Sequence, residues 1–142
     1  MENEIKQLAS DTLNNKNNIS YKFMGDIKND LIQEYYALNQ VDLFCNVSEY
    51  EGLPISIMEA MAYGIPCLAT DVGGVSEIVN SQNGILIEKN SSSIQIKNHI
   101  ETFILQSQEI KQSYIDKAIS CWEIKFNCKT NFNEYIRLFK EN

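Results

Sequence analysis

Short apolar runs alternate with amphipathic segments up to about residue 90 of the chain. The runs are as long as buried strands, and the segments between them repeat their apolar residues at helical intervals. Strands are predicted over Ile19–Met24, Val41–Val47, Ile65–Thr70 and Ile85–Glu88. Strands that alternate with helices form parallel βαβ units, whose right-handed crossovers cover both faces of one sheet with helices. The pattern therefore predicts a three-layer α/β fold.

Helices are predicted around these strands and beyond them. They cover residues 2–13, a segment from Asn29 or Asp30 to about Asn39, a segment from Pro54 to about Tyr63 that Gly64 ends, and Val75–Val79. After residue 90 the strands stop, and residues 91–142 are predicted to be mostly helical, with breaks near 107 and 127. No linker or repeat interrupts the pattern, so residues 1–142 are expected to form a single domain.

Composition narrows the class of protein. Hydrophobic residues are 44% and charged residues 22% of the 142, as in ordinary globular chains. The net charge of −7 gives no general attraction for nucleic acid or anionic lipid. No apolar run reaches the roughly 18 residues of a transmembrane segment, and the acidic start is unlike a signal peptide. Four cysteines without metal-ligand spacing indicate reduced thiols in a cytoplasmic protein, with no metal site.

Ligands of parallel α/β sheets bind beyond the carboxyl ends of the strands. Three predicted loops fall there: Gly25-Asp26, Ser48–Leu53 and Asp71–Gly74. Within the helix that follows the second loop, Ser56, Glu59 and Tyr63 form a narrow polar stripe on an otherwise apolar surface. A carboxylate there needs hydrogen-bond donors. The hydroxyls of a ribose or sugar would supply them, and a salt bridge or a capping role explains Glu59 equally well.

Glu51 lies eight positions before Glu59, in the loop ahead of the helix. Gly52 lets the backbone approach a ligand closely, and the free N–H groups of the first helical turn favour an anion. Glu51 and Glu59 would therefore bracket a site roughly two helical turns long. Such a site suits a ligand with hydroxyls at both ends and a phosphate between them.

The same stretch resembles the donor-domain signature of the group 1 glycosyltransferases, also called glycosyltransferase family 4. Its hallmark, two glutamates separated by seven residues, is matched by EGLPISIME from Glu51 to Glu59. The segments AMAYGIP and ATDVGG, then EIV and NG, continue the signature in the expected order. Upstream, FMG and the stretch from Tyr36 through DLF to Ser48 also match.

The resemblance implies a Rossmann-like parallel sheet with flanking helices, the C-terminal half of a GT-B fold. It implies retaining transfer of a sugar from a nucleotide diphosphate sugar to an acceptor, with no cofactor and no metal. Glu51 would be the catalytic-site carboxylate, and with backbone groups of Gly52, Leu53 and Pro54 it would bind the donor sugar and phosphate. Glu59 would bind the ribose, and Gly25, Asp26 and Ile27 would lie near the base.

The sequence also departs from the family pattern. The family's donor domain starts with a strand-helix-strand unit that carries an Arg and a Lys for the pyrophosphate, and no counterpart is found here. The N-terminal acceptor domain is also missing, so a missing domain or partner chain is expected as a partner. The alternative function is a non-catalytic fragment or one subunit of a split glycosyltransferase. A related GT-B sugar-nucleotide enzyme, such as an epimerase, is a third reading that the EGLPISIMEAMAYG stretch fits less well.

Several other residues are given ordinary structural roles. His99 is expected at the surface, and Trp122 and Phe126 are expected to pack the C-terminal helices. Asp71 is interpreted as a loop cap in preference to a sugar contact. Cys45 and Cys67 lie in predicted buried strands and are expected to be inert.

Overall fold

The structure is a computed structural model that describes residues 2–13, 16 and 18–140. The chain divides into two compact units, Met1–Ile32 and Gln33–Asn142. Each unit is described by itself, and the expectation of a single domain stays a prediction.

The first unit contains helix α1, Glu2–Leu13, and the beginning of helix α2, Asn29–Leu38. Between them, the predicted strand Ile19–Met24 is wrong: none of its residues joins a described sheet. Its alternation is real, because Ile19, Tyr21 and Phe23 fall on every second residue, but all three side chains are exposed. A strand needs a neighbour for its backbone hydrogen bonds, and the apolar pattern of a segment does not supply one.

The second unit is built on a parallel sheet. Strands β1, Phe44–Asn46, β2, Cys67–Thr70, and β3, Gly84–Ile87, lie in the order β1-β2-β3. Phe44 is paired with Cys67, and Cys67 with Gly84, so all three strands begin at the same edge. The α/β class predicted from the sequence is confirmed, although each strand except β3 is shorter than its apolar run.

Helices connect and flank these strands. Helix α3, Ile55–Ala62, joins β1 to β2, and the single turn α4, Val75–Ile78, joins β2 to β3. Helices α5, Ser93–Ile104, α6, Gln108–Lys125, and α7, Cys128–Lys140, follow, so the predicted breaks near 107 and 127 are confirmed. No helix in the described part of the chain combines the length and the apolar character needed to cross a membrane.

The core lies between the sheet, α3 and α6. Ile57 and Met61 of α3 are fully buried together with Ala118 of α6. Gly64 ends α3 with a φ of +72°, and a Cβ there would come within 3.0 Å of Ile115 on α6. The close contact between the two helices therefore fixes α3, and with it the loop that precedes α3.

The two strand cysteines, Cys45 and Cys67, differ in their exposure to solvent. Cys67 is fully buried, as predicted, but the prediction of a buried Cys45 is wrong because its side chain is exposed. Successive side chains of a strand point to opposite faces. Phe44 packs against the core cluster, so Cys45 faces away from it on β1, which has a neighbour on one side only among the described strands.

Candidate functional site

The carboxyl ends of β1 and β2 bring two loops together. The hydroxyl of Thr70, at the end of β2, donates a hydrogen bond of 2.8 Å to the Ser48 carbonyl oxygen. The backbone N–H of Gly74 donates one of 2.7 Å to the Gly52 carbonyl oxygen. These bonds join the segment that carries Glu51 to the Asp71–Gly74 loop. Two of the three loops predicted from the sequence are thus adjacent.

Asn46, the last residue of β1, holds the Glu51 side chain. Its Nδ2 donates a hydrogen bond of 2.9 Å to Glu51 Oε1, while its Oδ1 accepts one of 3.1 Å from the Ser48 backbone N–H. The Asn46 amide, followed by a hydrogen bond from Ser48, lowers the pKa of Glu51 below its ordinary value. Glu51 therefore stays ionised and can act only as a hydrogen-bond acceptor.

The Asp71–Gly74 loop approaches the Glu51 segment so closely that it needs glycine. Gly73 has a φ of +56°, and a Cβ at this position would overlap the Glu51 carbonyl oxygen. Gly74, and not Asp71, is the N-cap residue of α4, and no side chain caps this helix. The interpretation of Asp71 as a loop cap stays a prediction. The Asp71 backbone N–H donates a hydrogen bond of 2.8 Å to the Ile87 carbonyl oxygen.

Helix α3 starts without a side-chain cap. Its N-cap residue is Pro54, which makes no capping hydrogen bond, whereas Ser92 caps α5 and Ser107 caps α6. The first backbone N–H groups of a helix have no acceptor within the helix. Those of Ile55 and Ser56 can therefore serve a ligand, and the helix dipole favours an anionic one.

Glu59 lies in the middle of α3 and is half-buried. It lines a groove of about 460 Å³ together with Gln33, Ile55, Met58, Ala62, Tyr63, Trp122 and Phe126. Burial, followed by the Cys67 and Glu59 side chains, raises the pKa of Tyr36. Trp122 and Phe126 pack against the core as predicted. Both side chains also line the groove beside Glu59, and the sequence analysis did not predict this contribution to the groove.

The structure places five of the predicted site residues on one continuous segment. Glu51 is half-buried, Gly52 and Leu53 are exposed, Pro54 is buried, and Glu59 follows within α3. Gly25, Asp26 and Ile27 belong to the other unit, where Gly25 has a left-handed φ of +67°. Their assignment to a base stays a prediction.

Two residues near the site were missed by the sequence analysis. Asn46 gave a signal, because it is the one polar side chain among the residues that the structure pairs in β1. Lys89 follows β3, and its Nζ lies 4.1 Å from the centroid of the Tyr50 ring. Tyr50 is the residue directly before Glu51 in the sequence. A lysine two residues after a strand carries no such signal. Among the described residues, no three His, Cys, Asp or Glu side chains are grouped as metal ligands.

A parallel α/β sheet with a carboxylate loop and an uncapped helix at its carboxyl edge defines a Rossmann-like domain. Comparison with known proteins gives the family. The family described as glycosyl transferases, group 1, matches residues 1–120. The chain belongs to this family, as the Glu51–Gly74 motifs predicted.

Individual relatives support the same assignment. The O-antigen biosynthesis glycosyltransferase WbnH of Escherichia coli is 39% identical over 75 residues, which are 53% of this chain and 20% of WbnH. The structure of Anabaena Alr3699/HepE in complex with UDP has a TM-score of 0.76 and 26% identity, over 99% of this chain and 37% of HepE. The C-terminal domain of the group 1 protein LpcC from Francisella tularensis has a TM-score of 0.70 and 25% identity, over 89% of this chain and 63% of the LpcC chain. The chain thus spans about a fifth of WbnH and about a third of HepE.

Proposed function

We propose that this chain is a donor domain that binds a nucleotide diphosphate sugar and takes part in sugar transfer to an acceptor with retention of configuration. The observation that carries the proposal is the Asn46–Glu51 hydrogen bond, which presents an ionised carboxylate directly ahead of the uncapped α3. A carboxylate accepts hydrogen bonds from sugar hydroxyls, and an open helix start accepts a phosphate. The family membership and the UDP bound by HepE support this reading.

Each site residue then has a physical role. Glu51 accepts hydrogen bonds from the donor sugar, and its negative charge faces the carbon at which positive charge develops during transfer. The N–H groups of Gly52, Leu53 and the first turn of α3 bind the diphosphate, while Pro54 fixes the start of the helix. Glu59, two turns further on, accepts hydrogen bonds from the ribose hydroxyls. The donor is a substrate, and neither a cofactor nor a metal is part of the proposal.

A second candidate is a non-catalytic segment or one subunit of a split enzyme. The aligned region is 20% of WbnH and 37% of HepE, so this candidate attributes turnover to a longer protein or to a partner chain. Acceptor recognition would then require residues outside this chain. The two candidates predict the same donor binding and differ only in turnover.

Donor binding is tested by calorimetric titration of the chain with UDP, GDP and ADP, each alone and as its sugar conjugate. We expect one nucleotide to bind. Glu59→Ala should weaken it about 10- to 100-fold, the value of hydrogen bonds to a charged group. Glu51→Ala should weaken the sugar conjugate more than the free nucleotide. Glu123→Ala, an exposed glutamate on α6, is the matched control.

The outcomes separate the candidates. Hydrolysis of the bound conjugate by this chain, which transfers the sugar to water and releases the nucleotide, supports the enzyme if it is lost in Glu51→Ala. Binding without release supports the non-catalytic candidate. If neither Glu51→Ala nor Glu59→Ala changes the affinity of a donor that binds, the proposed site is wrong.

A further inference from the structure

A second cavity lies at the amino end of β3, the end of the sheet opposite the Glu51 loop. Ser81, Gly84 and Ile85 form one side of it, and α5, the turn after α5 and α6 form the other. We propose that this cavity is a carbohydrate-binding site, which takes an uncharged sugar unit. The inference does not depend on the donor site, because the two share no residue.

One wall of the cavity is apolar. Phe103 of α5 is only 3% exposed, and its ring packs edge-on against Tyr114 of α6, with centroids 5.8 Å apart. The accessible part of this wall therefore comes from Ile85 and Leu86 of β3 and from the half-buried Tyr114. The C–H face of a sugar ring would pack against it without leaving polar groups unpaired. The cavity measures about 300 Å³, near the lower limit for ligand pockets, so it suits one or two sugar rings.

The rim is polar, and none of its described residues is a carboxylate, a lysine or an arginine. Its side chains are a hydroxyl at Ser81, an imidazole at His99, a hydroxyl at Thr102, an amide at Gln106 and a phenol at Tyr114. These groups both donate and accept hydrogen bonds, as sugar hydroxyls do. The lining therefore matches an uncharged ligand with several hydroxyls.

Local backbone structure holds the rim in place. His99, Thr102 and Phe103 are spaced along one face of α5. Just after α5, the Gln106 backbone N–H donates a hydrogen bond of 3.1 Å to the Phe103 carbonyl oxygen, which fixes Gln106 beside the ring.

The charges nearby argue against a phosphate ligand. The Lys111 ammonium lies 6.0 Å from the Phe103 centroid, but it does not line the cavity. It donates a hydrogen bond of 2.7 Å to the Ile104 carbonyl oxygen at the end of α5. The net charge of the chain is −7, and no lysine or arginine lines the cavity in the described part of the chain, so the cavity does not favour an anion.

The test is an NMR titration of the isotopically labelled chain with glucose, galactose and N-acetylglucosamine in the millimolar range. At least one sugar should shift the amide signals of Thr102, Phe103 and Gln106 in a saturable way. Gln106→Leu removes a half-buried rim amide in the turn after α5 and should weaken binding about tenfold. Gln112→Leu makes the same change on α6 outside the cavity and should leave affinity unchanged.

Two further arms make the result decisive. Glycerol at the same hydroxyl concentration should not saturate the signals, and Glu59→Ala should bind the sugar as tightly as the unmodified chain. The proposal is overturned if no sugar shifts these signals, if glycerol acts equally well, or if the shifts fall on residues 48–54 instead. A loss of nucleotide binding in Glu59→Ala with intact sugar binding would separate this site from the donor site.

Discussion

Asn46 uses both ends of its side-chain amide, and this places the Glu51 carboxylate. The Nδ2 donates to Glu51 while the Oδ1 accepts from Ser48, so one residue fixes both the loop backbone and the carboxylate it carries. The sequence spacing identified Glu51, but it did not show what orients Glu51. That depends on a hydrogen bond between residues five positions apart across a loop whose path no local pattern encodes.

Asn46→Ala should change both the pKa of the Glu51 carboxyl and the affinity of the site for the donor. Without the amide donor, the pKa of Glu51 rises toward its ordinary value, and affinity for the sugar conjugate falls about tenfold while free nucleotide binds nearly as before. Calorimetry measures the affinities. Asn39→Ala, which removes an exposed amide bonded to the Tyr35 carbonyl oxygen, is the control. Equal losses for nucleotide and conjugate would contradict the assigned role.

The pH dependence follows from the direction of the Glu51 shift. A carboxyl whose folded-state pKa is lowered contributes stability above its unfolded pKa, and loses it as pH falls through the folded value. In Asn46→Ala the carboxyl protonates at a higher pH. Donor affinity of the variant should therefore decline earlier on acidification than that of the unmodified chain, as titrations across the acidic range can measure.

Gly73 and Gly52 offer a matched pair of substitutions. Gly73→Ala should lower the free energy of unfolding by at least about 2 kcal/mol, because a left-handed φ and an overlap with the Glu51 carbonyl oxygen act together. Gly52→Ala meets nothing within 4 Å and should cost less than about 1 kcal/mol. Urea unfolding gives both values, and similar costs would show that the loops do not meet as described.

At the scale of elements, the two long helices α5 and α6 begin differently from α3 at the site. Helices α5 and α6 close their N-termini with serines, and α3 leaves its own open. Sequence patterns predicted all three helices because caps and apolar spacing are local signals. They failed for Ile19–Met24, because strand formation depends on a partner that lies elsewhere in the chain.

The capping box of α5 predicts a difference between adjacent serines. Ser92 accepts from the Gln95 backbone N–H, and the Gln95 side chain accepts from the Ser92 N–H. Ser92→Ala should therefore lower the free energy of unfolding by about 0.5–2 kcal/mol. Ser93→Ala, one position inside the helix, should have little effect. A larger loss at Ser93 than at Ser92, measured by urea unfolding, would contradict this assignment.

At the scale of the whole molecule, the exposure of the four cysteines shows which parts of the fold are covered by neighbouring elements. Cys45 and Cys128 are exposed, Cys121 is half-buried, and Cys67 is fully buried in β2. The sequence treated both strand cysteines alike because an apolar run does not reveal which face of an outer strand is covered. By contrast, the α/β class, the helix order and the Glu51–Glu59 pair were predictable, because each depends on residues close together in sequence.

Thiol labelling of the native chain should distinguish the four cysteines. Cys128 should react rapidly with a disulfide reagent. Cys45, which is exposed but has a thiol pKa raised by burial, and the half-buried Cys121 should react more slowly. Cys67 should react only on unfolding, because it is enclosed and burial raises the pKa of its thiol. Cys45→Ser should remove one of the thiols that react in the native chain. A Cys45 that reacts only on unfolding would mean that another surface covers β1.

The hydrogen bond from Gly74 N–H to the Gly52 carbonyl oxygen joins two loops that follow different strands. The Gly74 amide proton can exchange with water only when the loops separate, so its hydrogen-exchange rate measures how often they separate. A ligand that contacts only one loop leaves this exchange rate unchanged, whereas a ligand that bridges both loops lowers it. One amide signal would thus show whether the donor is held by a single loop or clamped between two.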